Sequence, residues 1–190
     1  MKIRELNHII YRITLLLVGG LLCLHGSLFA QQRHRVDRST DVLMFVPAVT
    51  GLTVALCEKD YTGIKQLALS GVTSAATNYL LELSIKKDRP DGTGHHAFPS
   101  THVTASFTGA AYLQRRYGWK WGVPAYAVSA YVAWGRIYAK KHDIWDVLAG
   151  AAIGLGSGYL YTRPFAKHVN LVIAPTVLHE HPGIYLSANF

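Results

Sequence analysis

Two polar stretches decide how this chain is read: Arg89-Pro90 leading into Pro99-Ser100-Thr101-His102, and Arg136-Ile137-Tyr138-Ala139-Lys140-Lys141-His142-Asp143-Ile144-Trp145-Asp146. Both interrupt segments that otherwise carry few charges. Arginine, histidine and carboxylate are costly to place in apolar surroundings, so their convergence between apolar helices asks for a polar ligand. With Arg89, Arg136, His102 and His142 set against Asp146, that ligand is expected to be an anion.

The spacing suggests a chemistry. His142 and Asp146 are four apart, which on one helix places them on the same face, one turn from each other. Asp146 is then expected to accept a hydrogen bond from one ring nitrogen of His142, leaving the other aimed outward as a nucleophile or base. An imidazole held in this way can attack phosphorus. Arg136 lies at the end of the preceding helix and Arg89 in another loop, and two guanidinium forks suit the several oxygens of a phosphate. Pro99 ends a loop, and the residues after it open a helix whose free N–H groups favour an anion. Ser100 adds a hydroxyl, and His102 is placed to protonate a leaving oxygen. Taken singly these residues have bland readings, His102 as a helix cap and Arg89 as a loop anchor. Their conjunction is what carries the reading.

Composition sets the class. The 190 residues are 50% hydrophobic and 16% charged, against about 25% charged in an average soluble domain, which points to one domain in or on a membrane. The net charge of +8 suits a phosphorylated substrate or an anionic surface. Nucleic acid is disfavoured, because the basic residues are scattered and no groove-binding or base-stacking motif accompanies them.

Residues 1–30 read as an export signal, with Lys2, Arg4 and Arg12 ahead of the apolar run Ile13 to Leu24 and small residues up to Ala30. The rival, an uncleaved first membrane helix, has an apolar core of only about a dozen residues against the ~20 needed to span. Cleavage would leave Cys57 alone, with no intramolecular disulfide or cysteine metal site. Residues 31–41, with Arg33, His34, Arg35 and Arg38, read as a basic linker at the headgroups, and Ser39, Thr40 or Asp41 as the cap of the next helix. The phosphatase-sized domain, 42–165, is expected to hold about five helices, over 42–57, 64–86, 101–117, 121–138 and 143–161. Small residues at Ser70, Gly71, Ser74 and Ala75, and at Gly150, Gly154, Gly156 and Gly158, predict close helix packing. Polar interruptions and a mean hydropathy of +0.17 predict oblique crossing or partial embedding. The tail, 166–190, alternates apolar and polar residues and reads either as two short strands or as an extended segment along the bundle.

At these positions the chain resembles the type 2 phosphatidic acid phosphatases, which share their core with vanadium-dependent haloperoxidases. That family carries Lys-x6-Arg-Pro, Pro-Ser-Gly-His and Ser-Arg-x5-His-x3-Asp. Arg89-Pro90 matches the end of the first, Pro99, Ser100 and His102 the second, and Arg136, His142 and Asp146 the third with its spacing intact. The resemblance covers about residues 80 to 160. It implies an all-α bundle with a short extended tail, and His142 as the nucleophile of a phosphohistidine, Asp146 as its orienting partner and His102 as the general acid. It also implies Arg89, Ser100, Thr101 and Arg136 as phosphate ligands, with no metal and no cofactor. The expected enzyme is a metal-independent, membrane-associated phosphatase acting on a phosphate monoester or pyrophosphate of a lipid, exported, with a periplasm-facing site in the cell envelope. Phosphatidic acid, phosphatidylglycerol phosphate, polyprenyl diphosphate and the phosphates of lipid A are the substrates the resemblance offers. The alternatives are a non-catalytic envelope protein with an anion pocket, and a vanadate-dependent haloperoxidase.

Three departures matter. Glu82 stands where the family has lysine, Thr101 where it has glycine and Gly135 where it has serine. Lys86, one turn beyond Glu82, is the expected substitute for the missing phosphate-binding lysine, against a plain basic helix end. His95 and His96 have no nearby carboxylate or cysteine to complete a metal shell and read as loop residues.

Overall fold

The computed structural model describes residues 31–165 and two strands, Asn170–Leu178 and His181–Asn189; the expected export signal lies outside the described residues. Helix α1 spans 31–43, followed by α2 (Val46–Cys57), α3 (Tyr61–Ser84), α4 (Thr101–Tyr117), α5 (Trp119–Tyr138) and α6 (Ile144–Tyr161). The strands β1 and β2 are those two tail strands, an antiparallel hairpin in register from Asn170↔Asn189 to Leu178↔His181. Of the two readings of the tail, the paired strands are therefore the one found.

The region expected as a basic linker is helical. Its hydroxyls do not cap α2: Ser39 Oγ donates to the Val36 carbonyl and Thr40 Oγ1 to that of Asp37, both within α1. Helix α2 starts instead after Phe45, with Pro47 in its first turn, where the missing N–H costs nothing. Helix α3 is capped by Asp60, whose carboxylate accepts the Gly63 N–H at 2.8 Å. Gly118, at φ +87°, ends α4 and turns the chain directly into α5.

Helix α4 is the centre of the bundle and packs against α2, α3, α5 and α6. The close approach depends on small residues. A Cβ at Gly154 would lie 2.6 Å from the Thr104 carbonyl, and one at Gly150 2.7 Å from that of Ser100. Gly71 and Gly156 face open space, so of the glycines expected to admit a neighbour these two do not. From α3, Ser70, Ser74 and Asn78 are buried, and Asn78 bonds Thr104 and Thr101 of α4.

The outer surface is apolar. Val49, Leu52 and Leu56 of α2, Leu69, Val72 and Leu80 of α3, Val123 and Trp134 of α5, and Leu148 and Leu160 of α6 are all exposed. With Tyr112, Leu113 and Val132 in the core, serines, threonines and glycines between the helices, and many large apolar groups outside, the bundle has the arrangement expected where lipid surrounds it. Among the described residues, 31–57 is long and apolar enough to cross a membrane by length and composition. At the C-terminal end of α4, buried Arg116 clamps buried Asp60 through two nitrogens, at 2.7 and 2.5 Å, and donates to the carbonyls of Arg163 and Pro164. A cavity of about 510 Å³ lies there, next to Arg115 and Phe165 and away from the motif residues.

Candidate active site

The motif residues gather at the N-terminal ends of α4 and α6 and the C-terminal end of α5. Helix α5 stops at Tyr138, and Lys140 takes the left-handed conformation (φ +58°), which folds the chain back so that the N–H groups of Lys141 and His142 reach the Arg136 carbonyl. His142 thereby comes beside the arginine six positions earlier. The next residue, Asp143, caps α6 through a reciprocal box: its carboxylate accepts the Trp145 and Asp146 N–H groups, while Asp146 Oδ2 accepts the Asp143 N–H at 3.0 Å.

That cap overturns one expectation. His142 lies just before the helix, as the expected bounds had it, but Asp146 does not hydrogen-bond it. Nδ1 of His142 lies 3.7 Å from Asp146 Oδ2, beyond hydrogen-bond range, and bonds the Ala97 carbonyl at 2.8 Å instead. Both oxygens of the fully buried Asp146 are already engaged, Oδ2 in the cap and Oδ1 by Lys87 Nζ at 2.6 Å. Since a carbonyl only accepts, Nδ1 carries the proton and Nε2 is left with the lone pair. Burial, helped by the charges of Arg136 and Arg89 and opposed by the Ala97 bond and by Asp146, pushes the His142 pKa down to about 4. The ring is neutral at physiological pH.

The loop 85–99 wraps the site and is tied down at several points. The Ala97 N–H donates to the Lys87 carbonyl at 2.9 Å, which sets the carbonyl that takes His142. Lys87 Nζ bridges Asp143 and Asp146 at 2.5 and 2.6 Å. Burial alone would lower the Lys87 pKa, but the two carboxylates outweigh it and raise it. Lys141 Nζ holds Asp91 at 2.7 Å; burial would raise the Asp91 pKa, and the bonds from Lys141 and Thr93 bring it well below the usual range.

Three donors in this region are buried with no partner among the described residues: Arg89 Nε, Arg136 Nε and Ser100 Oγ. Ser100 is the residue before α4, yet its hydroxyl caps nothing. Its N–H donates to the Asp146 carbonyl at 3.1 Å and so joins the starts of α4 and α6. Unpaired buried donors are costly, and three of them, from the 85–99 loop, the last turn of α5 and the residue before α4, suit an anion with several acceptor oxygens.

Other expected site residues are placed differently. The Thr101 hydroxyl turns to Asn78 of α3, donating at 3.0 Å. Lys86 is exposed and makes no hydrogen bond or ion pair with the described residues, and the ordered cation is its neighbour, Lys87. Glu82, on the last turn of α3, is not among the charges acting most strongly on His102, Arg136 or His142. His95 pairs with Asp88 at 2.5 Å on the surface, and no group of three metal-ligating side chains occurs among the described residues.

Sequence reasoning missed Asp37 and Asp41. From α1, Asp37 accepts Arg136 Nη1 at 2.7 Å and Asp41 accepts His102 Nε2 at 2.8 Å, with Arg136 Nη1 a further 3.4 Å from Asp41. Their four-residue spacing was the available signal. Gly135 explains why α1 fits: a Cβ there would come 2.5 Å from Thr40 Cγ2 and 3.2 Å from Val36 Cγ1.

Comparison with known proteins agrees with this geometry. The PAP2 superfamily profile matches residues 72–169. A lipid A 4'-phosphatase of Helicobacter pylori is 31% identical over 154 residues, covering 75% of this chain and 77% of its own. A lipid A 1-phosphatase of Helicobacter pylori is 26% identical over 132 residues, covering 63% of this chain and 67% of its own. The crystal structure of Aquifex aeolicus LpxE superposes with a TM-score of 0.57 at 20% identity, over 71% of this chain and 92% of that one, and so shares the fold. With the histidines, arginines and helix N-terminus of the family motifs assembled in one site, the chain belongs to the PAP2 superfamily.

Proposed function

We propose that this protein is a phosphatase that removes a phosphate from a lipid, with a phosphate of lipid A as its foremost substrate, at the envelope membrane and from the periplasmic side. The observation that carries the reading is the pairing of a neutral His142, with Nε2 free, and three unpartnered buried donors on Arg89, Arg136 and Ser100. The choice of a lipid rests on the apolar outer surface. An apolar groove of about 210 Å³ also begins at Thr101, beside Ser100, and runs between Gly71, Ala75 and Ala105. Lipid A is favoured among lipids by the named activities of the two relatives above.

In this reading the phosphate oxygens lie on the Arg89 and Arg136 guanidiniums, the Ser100 hydroxyl and the free N–H groups opening α4. His142 Nε2 attacks phosphorus as the bond to the lipid oxygen breaks, and His102 in its protonated form gives that oxygen a proton. The arginines stabilise charge gathering on the equatorial oxygens. The phosphorylated ring is cationic, with Nδ1–H still on the Ala97 carbonyl and Asp146 near enough to offset the charge. Neutral His102 then takes a proton from water as its oxygen attacks phosphorus, the N–P bond breaks, and phosphate leaves. Asp146 thus acts as a charge partner, and the Ala97 carbonyl fixes the tautomer.

The test is phosphate release, with a chelator present, from lipid A, phosphatidic acid, phosphatidylglycerol phosphate and polyprenyl diphosphate by protein purified in detergent. Release, fastest from lipid A and abolished in His142→Ala, is expected. No release from any of the four by folded protein would overturn the reading in favour of an anion-binding protein.

A further inference from the structure

The carboxylate of Asp41 meets His102 from a helix outside the family motifs. We propose that Asp41 is a positioning residue for the general acid, holding His102 Nε2–H so that Nδ1 is the nitrogen that exchanges a proton with the substrate. The proposal rests on the phosphatase reading above and assigns a role to α1 that the motifs do not contain.

The geometry is specific. Asp41 Oδ1 is 2.8 Å from His102 Nε2, and His102 has no other hydrogen-bond partner among the described residues, which leaves Nδ1 open. Although the Asp41 side chain is half-exposed, its backbone is firmly placed. The preceding residue, Thr40, is fully buried against Gly135, and Ser39 Oγ lies 3.1 Å from Tyr131 OH on α5. One turn earlier, Asp37 fastens α1 to Arg136. Glycine in place of the family serine at 135 is what admits this helix so close to α5.

The charges around His102 give Asp41 work to do. Burial and Arg136, from α5, both push the His102 pKa down, while Asp41 and Asp37, from α1, push it up; the net direction is down. A general acid must hold its proton until the leaving oxygen needs it, so the carboxylate that favours the imidazolium serves the reaction. The proton bookkeeping closes. The imidazolium gives Nδ1–H to the lipid oxygen as the P–O bond breaks, Nε2–H stays on Asp41, and Nδ1 regains a proton from the water that attacks the phosphohistidine.

The experiment compares the unaltered protein with Asp41→Asn and Asp41→Glu, following kcat for lipid phosphate hydrolysis against pH and the His102 ring titration by NMR with labelled histidine. In Asp41→Asn the alkaline limb of kcat should move to lower pH by about one unit, with the His102 titration moving alongside and kcat at neutral pH falling about tenfold. Asp41→Glu should restore part of both. A role confined to holding α1 would lower activity without moving either midpoint, and that result would overturn the proposal. So would a rise in kcat, which would mean that Asp41 holds His102 away from substrate. Phosphate release by the unaltered protein separates the two claims. Its absence overturns the phosphatase reading and the role built on it, whereas release with unmoved midpoints overturns only the role of Asp41.

Discussion

Acidification should reveal how His142 is kept neutral. Its pKa, pushed from the ordinary 6.5 to about 4 by burial and the nearby arginines, favours the unprotonated ring by about 3 kcal/mol, at roughly 1.4 kcal/mol for each pH unit. The sign for stability follows from linkage. The folded midpoint lies below the unfolded one, so above about pH 6.5 the residue is neutral in both states and contributes no penalty. As the pH falls from about 6.5 towards about 4, the unfolded ring takes up a proton that the folded ring refuses, and stability is lost, by roughly 2 kcal/mol at pH 5. His142→Asn removes the titration while keeping a donor for the Ala97 carbonyl. Between about pH 7 and pH 5, the melting temperature of the unaltered protein in detergent should fall by several degrees more than that of the variant. NMR should place the His142 midpoint well below 6. A midpoint near 6.5, or melting curves that fall in parallel, would refute the argument that the site holds a neutral nucleophile.

Other outcomes follow from the packing and the ion pairs. Lys87→Met strips the fully buried Asp146 carboxylate of its cation, and leaving such a charge unpaired costs several kcal/mol in general, about 2 here because Lys87 is partly exposed; melting temperature and kcat should both drop, while Lys86→Ala should change neither. Gly154→Ala must push α6 off the α4 backbone and should cost about 1–3 kcal/mol in thermal unfolding, whereas Gly156→Ala, facing open space, should be neutral. Arg116→Met leaves Asp60 buried with only Gly63 and Tyr117 and should destabilise by about 3–5 kcal/mol, with KM at permissive temperature unchanged because this pair lies at the far end of α4.

Much of the bundle was legible in the chain because its signals are local. The helices expected over 101–117, 121–138 and 143–161 are found within about two residues of those bounds, and Pro99 ends the loop before α4 as expected. Helix α1 was not legible as a helix. Arg33, His34, Arg35 and Arg38 mask a narrow contact stripe, Val36 and Thr40, whose partner is a glycine a hundred residues away. Separations of 99 residues from Arg136 and 61 from His102 likewise hid Asp37 and Asp41 as parts of the site. The expected His142–Asp146 bond failed for a local reason, since the reciprocal cap puts Asp146 Oδ2 on the Asp143 N–H and Lys87 holds the other oxygen. The carbonyl that replaced Asp146 belongs to Ala97, and a backbone oxygen carries no signal in sequence. Lys86 and Lys87 are adjacent and chemically identical; only the loop's closure onto Asp143 and Asp146 distinguishes them.

In the proposed mechanism His142 carries the phosphoryl group. The most direct measurement is to mix the protein with a lipid substrate labelled in its phosphate, in the presence of a chelator, quench in alkali within a turnover, and map the label by digestion. A phosphoramidate survives base and breaks in acid. A base-stable, acid-labile label on the peptide containing His142 is expected, formed as fast as phosphate is released and missing in His142→Asn. Phosphate release with no such label, or a label that persists in the variant, would contradict that mechanism.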